Sequence, residues 1–388
     1  MAAPQHGDYE YEIYLDGLDG RLPKYPIDFD SLERAASVTL PSWVYSYVAG
    51  GAGDERTQHA NVEAFSRYGI VPRMLVGADE RDLSVSLFDM TLPTPVFMCP
   101  IGVIGLCAQD FHGEIQVAKA SAQTGVPMMS STLTQDRMED VVPHAGDTPA
   151  VFQLYTPDDK DLAASFLARA EKAGYRAVTV TLDTWTIGWR PRDLNAANLP
   201  FLRGYGLQNY LTDEVFLSRL AKPPTQDPRA AALEWSKVFG TSLRWEDLSW
   251  LRSLTTLPIL LKGIQHPDDV RRAKDYGIDG IQCSNHGGRQ ANGGLASLDA
   301  LPAVVEAADG MPVLFDSGVR SGSDVAKALA LGATAVGVGR PYAYALAAGG
   351  TDGVVAQLRA IVAELDLLMA IDGFPTIADL RTAGAQRI

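Results

Sequence analysis

The chain has very little cysteine: only Cys99, Cys107 and Cys283 occur in 388 residues. Three scattered cysteines are too few for a disulfide framework, and their spacing does not match a CxxC metal site. We therefore expect each of them to be a small apolar core residue in a reducing compartment. The sequence predicts no metal centre.

Long apolar runs are also lacking. No stretch approaches the ~18 consecutive apolar residues that a membrane-spanning helix requires. The first residues, MAAPQHGDYEYEIY, contain neither the basic nor the apolar region of a secretory signal. We therefore expect a soluble, cytoplasmic protein with no membrane partner.

The chain has fewer basic than acidic residues, with 33 Lys and Arg against 47 Asp and Glu, and a net charge of −14. Such an acidic chain is a poor candidate for binding nucleic acid or an anionic membrane. Hydrophobic residues make up 46% and charged residues 21%, which excludes wholesale disorder. The length allows two or three average domains, or one α/β barrel of about 250 residues with additions.

A regular alternation begins near residue 94, where short apolar runs alternate with amphipathic segments. Continuous apolar character is typical of strands that are covered on both faces. The predicted strands are 94–101, 126–131, 150–155, 177–183, 258–264, 280–285, 312–317 and 335–340. Eight such units favour a (β/α)8 TIM barrel, since an open doubly wound sheet usually carries a GxGxxG turn that the run IGVIG lacks.

Helical periodicity marks several of the connecting segments. Helices are predicted over 161–173, 268–276, 322–331 and 353–370. The first places Leu162, Phe166 and Ala170 on one apolar stripe. Ser323 is the candidate N-cap of the third.

The region before the barrel, residues 1–93, does not follow this alternation. It contains helical patterns at 29–37 and 41–49, and a β-hairpin is expected around 83–88. We predict a single domain over 1–388, in which this region is an N-terminal extension of the barrel at 94–388.

A second irregular region, residues 184–244, separates the fourth strand from its helix. It is rich in Pro, Arg and Trp. Loops that follow barrel strands surround the active site, and long ones often act as lids. We therefore predict a lid here; the alternative is a surface or oligomer-contact insertion.

Polar residues cluster where the predicted strands end, which is the level at which a barrel builds its active site. They are Gln153, Tyr155, Thr181, Asp183, Lys262, Ser284, His286, Arg289, Asp316, Arg320 and Arg340. A structural ion pair explains any one of them. It explains the whole set poorly, because burying so many unpaired polar groups at one level is costly.

The ends of the last two strands predict a phosphate site, because the loops after strands seven and eight bind phosphate in many barrels. Gly318 and Gly339 would allow backbone N–H groups to approach a phosphate closely. Arg320 and Arg340 supply forked donors that match phosphate oxygens. The alternative is that these glycines only end the strands and that the arginines are surface charges.

His286 is the best acid–base candidate among six histidines, because it directly follows a barrel strand. Asp183, across the barrel mouth, can orient its imidazole and stabilise the charged form. Arg289, with Arg190 from the insertion, can clamp a substrate carboxylate. Lys262 places a fixed positive charge where it would stabilise an anion on a cofactor ring.

The run SNHGGRQ, at 284–290, resembles the signature of the FMN-dependent 2-hydroxy acid oxidases and dehydrogenases. This family includes glycolate oxidase, lactate oxidase, mandelate dehydrogenase and lactate 2-monooxygenase. The resemblance extends from about residue 25 to the C-terminus. Further matching motifs are LPSWVYSYVAGGAGDE, FSRYGIVPRML, FQLY, TLDT, LLKGI, DSGVRSGSDVAKALALGA and GRP.

The resemblance implies FMN as the cofactor and a small 2-hydroxy acid as the substrate. His286 is similar to the family's base, which takes a proton from C2 or its hydroxyl, and Asp183 is similar to the paired carboxylate. Tyr155 would lie near the substrate hydroxyl. The implied carboxylate-binding residues are Tyr47, Arg190 and Arg289.

The resemblance also implies a set of cofactor contacts, with Lys262 beside flavin N1 and O2. The remaining contacts are Pro100, Ile101, Gly102, Ser130, Gln153, Thr181, Ser284, Asp316, Ser317, Gly318, Arg320, Gly339 and Arg340. Members of the family commonly assemble as tetramers or octamers, so a homo-oligomer is expected.

Two departures from the family pattern bear on the substrate and the products. Thr132 or Leu133 replaces an aromatic pocket residue of glycolate oxidase, and Gly102 stands where oxidases often have alanine. The long insertion is most similar to that of lactate 2-monooxygenase, which implies oxidation of L-lactate by O2 to acetate, CO2 and water.

Other activities remain open from the sequence. The nearest are an oxidase that releases the 2-oxo acid and H2O2, and a dehydrogenase that does not use oxygen. More distant alternatives are a non-redox barrel, such as an isomerase of a phosphorylated substrate, and a binding protein on a decayed barrel.

Overall fold

The computed structural model describes residues 5–388, and its centre is the predicted closed barrel of eight parallel strands. The strands are β1 (Val96–Met98), β2 (Met128–Ser130), β3 (Ala150–Leu154), β4 (Ala177–Thr181), β5 (Ile259–Ile264), β6 (Gly280–Cys283), β7 (Val313–Phe315) and β8 (Ala335–Val338). Each strand pairs with the next along the chain, and β8 closes the barrel on β1. Nearly every strand residue is buried, which explains the unbroken apolar runs.

A helix follows each strand and packs outside the barrel. These helices are Gly113–Thr124, Met138–Val141, Lys160–Ala173, Asp247–Arg252, Pro267–Asp275, Ser297–Ala308, Gly322–Ala330 and Arg340–Asp372. Leu162, Phe166 and Ala170 are completely buried, as their predicted stripe requires. The last helix is longer than predicted and is kinked where Gly349 and Gly350 leave the helical conformation.

The prediction of Ser323 as a helix N-cap is wrong. The helix begins at Gly322, and the side chain of Ser321 accepts a hydrogen bond from the Asp324 N–H at 3.2 Å. An N-cap residue must have a non-helical backbone, and Ser321 is extended whereas Ser323 is already inside the helix. The Ser323 N–H instead donates to Glu364.

The N-terminal region wraps around the barrel through four helices. They are Asp8–Leu18, Phe29–Thr39, Ser42–Ala49 and Arg56–Glu63. The predicted hairpin pairs Val85–Leu87 with Met90–Leu92 and lies slightly later than expected. Near the other end, helix Ile377–Ala383 precedes a short strand, Gln386–Arg387, which pairs with Tyr68–Gly69.

The 184–244 insertion folds into short helices over one side of the barrel mouth. They are Pro191–Asn195, Gln208–Leu211, Glu214–Ser218 and Pro228–Val238. Asn209, which is completely buried, anchors this segment: its amide donates to Thr132 O at 3.0 Å and Thr134 Oγ1 at 2.9 Å, and accepts from the Met138 N–H. Because all of these groups are paired, the insertion is held firmly against the loop after β2.

The three cysteines are buried and unpaired, as predicted. Over residues 5–388, no helix combines the length and the apolar character needed to cross a bilayer.

Candidate active site

A cleft with about 1200 Å³ of empty space opens at the C-terminal ends of the strands. Fifteen of the residues predicted to catalyse the reaction or to bind the substrate or cofactor line it. They are Tyr47, Pro100, Ile101, Gly102, Tyr155, Arg190, Lys262, His286, Arg289, Asp316, Ser317, Gly318, Arg320, Gly339 and Arg340. Residues remote in sequence meet here because the C-terminal ends of parallel barrel strands share one face.

Five other predicted residues are not among those that line this cleft: Asp183, Ser130, Gln153, Thr181 and Ser284. Gln153 is completely buried and donates from Nε2 to Thr181 Oγ1 at 2.9 Å. Its Oε1 accepts from Ser131 Oγ at 2.9 Å. The flavin contacts assigned to Ser130, Gln153 and Thr181 therefore stay predictions.

His286 and Asp183 form a close pair, with 2.9 Å between Nδ1 and Oδ1. Thr184 joins them: its hydroxyl donates to the same carboxylate oxygen at 2.9 Å and lies 3.1 Å from Nδ1. The network assigns the Nδ1 proton to the bond with Asp183, which leaves Nε2 as the basic nitrogen.

Burial sets the protonation of this pair. It lowers the pKa of His286 below 6.5, although Asp183 opposes this shift. Burial alone would raise the pKa of Asp183, but the positive charges of His286 and Lys262 lower it below its ordinary value. Near neutral pH, the pair therefore consists of a neutral imidazole beside an ionised carboxylate, which is the state that a general base requires.

The backbone carrying His286 is held in a left-handed conformation, with φ of 60°. Its N–H donates to Ser284 Oγ at 3.0 Å, and the Gly287 N–H donates to Ser317 Oγ at 3.0 Å. Both hydroxyls donate in turn to Asp316 Oδ1, at 2.7 and 2.8 Å. One carboxylate oxygen thus organises the loop that presents the imidazole, at a backbone geometry that costs energy.

Lys262 is a buried cation at the end of β5. Its Nζ donates to Ser284 Oγ at 3.0 Å and lies 3.8 Å from Asp316 Oδ2. Burial lowers the pKa of Lys262, but the carboxylates of Asp316 and Asp183 outweigh burial and raise it overall. The ammonium group therefore stays charged and can stabilise negative charge that develops in the cleft.

The two predicted carboxylate-binding arginines are held by carbonyl groups. Arg289 donates from Nη1 to Tyr47 O at 2.6 Å and Gly50 O at 2.5 Å, and its guanidinium lies 4.9 Å from the Tyr47 ring centroid. Arg190 donates from Nε to Arg289 O at 3.0 Å. Since each guanidinium has five donors, both retain N–H groups for a substrate carboxylate.

The phosphate end of the cleft concentrates positive charge. Burial, reinforced by Arg320 and Arg289, lowers the pKa of Arg340 to about 9. Arg320 lies over the Phe29 ring, 4.3 Å from its centroid. Within residues 5–388, neither the Arg320 nor the Arg340 guanidinium has a carboxylate oxygen within the 4.0 Å of an ion pair, although the Arg320 backbone N–H donates to Asp324 Oδ2 at 2.8 Å. Partly buried guanidinium groups without carboxylate partners fit a bound anion.

One of the two glycines beside these arginines, Gly339, leaves room for such an anion. A methyl group on Gly339 would meet no atom within 4 Å. Gly318 has φ of 91° and packs so tightly on Asn61 that no side chain fits. The open backbone at Gly339 is compatible with the predicted phosphate site, whereas the left-handed turn and the contact with Asn61 account for glycine at 318.

The aromatic residues that the insertion adds to the cleft wall were not predicted from the sequence. Phe201 and Phe239 line the cleft with Leu133. A chain of ring contacts runs from Tyr47 through Phe201, Trp235 and Phe239 to Tyr155, with centroid distances of 4.9 to 6.3 Å. The aromatic richness of 184–244 was the available signal, but its short helices lack a periodicity that would orient each ring.

The remainder of the wall is apolar and suits a flat aromatic ring system. Val48, Ile101, Leu106 and Leu133 are among its lining residues. The cleft therefore combines a cationic end, polar groups along β6 and β7, and an apolar end. This is the donor set expected for a flavin mononucleotide, with its phosphate, polyol chain and planar ring.

Comparison with known proteins agrees with this interpretation. The profile of the FMN-dependent dehydrogenase family matches residues 36–387. The chain belongs to this family, and it is an FMN-dependent 2-hydroxy acid oxidoreductase.

Individual relatives are similar over almost their whole length. The chain is 42% identical to the FMN-dependent alpha-hydroxy acid dehydrogenase qulF of Penicillium citrinum, covering 100% of this chain and 98% of that protein. It is 40% identical to an L-lactate oxidase of Lysinibacillus sphaericus, covering 96% and 95%.

Solved structures are similar as well. A lactate oxidase of Pediococcus acidilactici superposes with a TM-score of 0.82 at 35% identity, covering 92% of this chain and 94% of that one. A mandelate oxidase superposes with a TM-score of 0.83 at 34% identity, covering 93% and 99%.

Proposed function

We propose that the protein oxidises L-lactate with O2 and retains the pyruvate long enough to decarboxylate it. The observation that carries this proposal is the insertion, which places Arg190, Phe201 and Phe239 directly in the cleft wall. A cover that contributes both a carboxylate-binding cation and apolar walls would slow the release of a small 2-oxo acid.

The overall reaction balances without another reductant. L-Lactate and O2 first give pyruvate and H2O2. Peroxide then attacks the retained pyruvate, whose C1–C2 bond breaks to give acetate, CO2 and water. Bound FMN would supply the two-electron acceptor for the first reaction, with O2 as the final oxidant.

Each protein group has a role set by its position. Arg289 and Arg190, with the Tyr47 hydroxyl, bind the substrate carboxylate. His286 Nε2 removes a proton from the substrate, and Asp183 stabilises the resulting imidazolium. Burial raises the pKa of Tyr155 to about 12, so its phenol stays protonated and can donate to the substrate oxygen.

The space beside Gly102 favours a small C2 substituent. A methyl group on Gly102 would lie 3.6 Å from Phe201 Cζ and 3.6 Å from Leu133 Cβ, which is ordinary contact distance. These atoms form an apolar wall, which suits the methyl group of lactate.

A simple oxidase is the second candidate. Relatives at 40% and 38% identity are L-lactate oxidases from Lysinibacillus sphaericus and Nostoc. An oxidase would share every binding residue above and differ only in releasing pyruvate before peroxide reacts with it.

The experiment is a product balance. Purified holoenzyme is incubated with L-lactate in air, and acetate, pyruvate, CO2 and H2O2 are quantified. We expect one acetate and one CO2 per O2 consumed. Equal amounts of free pyruvate and H2O2, with no acetate, would overturn the decarboxylation and leave the simple oxidase.

Two further predictions accompany this proposal. We expect a cytoplasmic protein that forms a homo-oligomer, tetrameric or octameric. Relatives differ in location, since a 38% identical 2-hydroxyacid oxidase of Arabidopsis thaliana is peroxisomal. Sedimentation of the native protein tests the assembly.

A further inference from the structure

We propose that Gln290 is a positioning residue that fixes Arg190 for substrate binding and fastens the start of the 184–244 insertion to the barrel. This inference rests on the carboxylate-binding role proposed for Arg190. Gln290 itself does not line the cleft, so it acts through its neighbour rather than on the substrate.

Both the nitrogen and the oxygen of the Gln290 side-chain amide form hydrogen bonds. Its Nε2 donates to Asp183 O at 2.9 Å and to Thr186 O at 2.8 Å. Its Oε1 accepts a hydrogen bond from Arg190 Nη2. The side-chain amide of Gln290 thus links three residues: Asp183, Thr186 and Arg190.

The backbone around this amide is packed too closely to move freely. A side chain on Gly188 would come within 2.6 Å of Gln290 O and 2.8 Å of Arg289 O. The Trp189 carbonyl accepts from the Gly53 N–H at 2.8 Å. The insertion therefore folds back directly over residues 289–290, and Gln290 supplies the side-chain bonds at that contact.

Gln290 also determines which Arg190 donors remain available. Arg190 is 6% exposed, and its Nε and Nη2 are occupied by Arg289 O and Gln290 Oε1. The carboxylate of Asp193 lies 4.0 Å from Nη1, at the limit of an ion pair. Arg190 lines the cleft, and neither Arg289 nor Gln290 occupies its Nη1, so Nη1 is the donor that we assign to the substrate carboxylate.

Two substitutions change this arrangement in different ways. Gln290→Leu removes all three hydrogen bonds, so Arg190 loses its restraint. Gln290→Glu keeps an acceptor for Arg190 but adds a negative charge that competes with the substrate carboxylate, and it removes both donors to the carbonyl groups. Both changes should weaken binding of a carboxylate more than they slow the chemistry.

The test measures KM and kcat for L-lactate, and the Kd of pyruvate for the oxidised holoenzyme from the change in flavin absorbance. We expect KM and Kd to rise about tenfold or more in both variants, with kcat within about threefold and FMN retained. If wild-type product release depends on the same contact, the share of free pyruvate should also rise.

Gln265→Leu is the matched control. Gln265 follows β5, is partly exposed and makes only long contacts, 3.4 Å to Leu295 O and 3.5 Å to Ser297 Oγ. Its KM and Kd should equal those of the wild type.

KM and Kd within about twofold of wild type in the Gln290 variants would overturn the inference. Loss of FMN in parallel with loss of pyruvate binding would also overturn it, since it would indicate a general structural role. If Gln290→Leu does not fold, the isosteric Gln290→Glu decides. Because the pyruvate Kd needs no turnover, failure of the decarboxylation proposal leaves this test intact.

Discussion

Asp183 Oδ1 accepts hydrogen bonds from both His286 Nδ1 and its own neighbour, the Thr184 hydroxyl, at 2.9 Å each. This shared oxygen orients the imidazole and leaves Nε2 facing the cleft. Burial favours the neutral imidazole, whereas Asp183 favours the protonated one. Because the two effects oppose each other, His286 can accept a proton and release it again.

The pH dependence of the reaction should report this pair. The base must be neutral to act, and the pKa of His286 is lowered below 6.5. Therefore kcat/KM for a 2-hydroxy acid should rise with pH and reach a plateau, with a midpoint below pH 6.5. Steady-state kinetics across this range measures the midpoint, and one clearly above pH 6.5 would contradict the assignment.

Asp183→Asn is the variant that isolates the carboxylate. Removing its charge takes away the main influence that raises the pKa of His286, so the midpoint should move to lower pH. Without a partner for the imidazolium, kcat should fall about a hundredfold. Flavin content confirms that the variant still folds.

Phe201 should limit the size of the substrate. Phe201→Ala removes the ring that lies near Gly102 in the cleft wall. We expect kcat/KM for L-mandelate relative to L-lactate to rise about tenfold, since one pocket contact is worth roughly this much discrimination.

The neighbouring Leu202 is 46% exposed and gives the matched control. Leu202→Ala should leave the ratio unchanged. If the ratio does not change in Phe201→Ala either, the insertion does not bound the substrate pocket.

Asp366 should be a major stabilising residue. Its side chain is fully buried, pairs with Arg81 Nε and Nη2 at 2.8 Å each, and accepts from the Gly7 N–H at 2.6 Å. Asp366→Ala leaves a nearly buried guanidinium unpaired, so the free energy of unfolding should fall by about 3–5 kcal/mol. Urea denaturation monitored by circular dichroism measures this change.

The exposed pair of Arg137 and Asp140 provides the comparison, with 2.7 Å between Nε and Oδ2. Asp140→Ala should cost less than about 1 kcal/mol, because solvent screens the pair. Equal losses in the two variants would show that burial does not strengthen the Arg81 interaction.

The barrel was predictable because its strands are buried on both faces and therefore read as unbroken apolar runs. The helix Lys160–Ala173 was equally predictable from the helical spacing of its apolar residues. By contrast, the N-cap at Ser321 depends on one backbone conformation that periodicity does not encode. The helices of the insertion were not predicted. Three of them have only four or five residues, too few to show a hydrophobic period, whereas Pro228–Val238 has 11 residues and was overlooked.

The residues of the site also fall into those that the sequence predicted and those that it did not. His286, Lys262 and Arg340 were found because they sit at strand ends, which any parallel barrel brings to one face. Phe201 and Phe239 were missed because they reach the cleft from the insertion, whose path depends on tertiary contacts such as those of Asn209. Gln153 and Thr181 were assigned to the flavin; in the structure they bond to each other, and their contact with the flavin stays a prediction.

The most direct test is anaerobic mixing of the flavin-loaded protein with L-lactate, comparing wild type with His286→Gln. We expect lactate to bleach the visible absorbance of the wild-type flavin, and His286→Gln, with its flavin still bound, to bleach about a hundredfold more slowly or not at all. Bleaching of His286→Gln at the wild-type rate, or a wild-type flavin that no 2-hydroxy acid reduces, would contradict it.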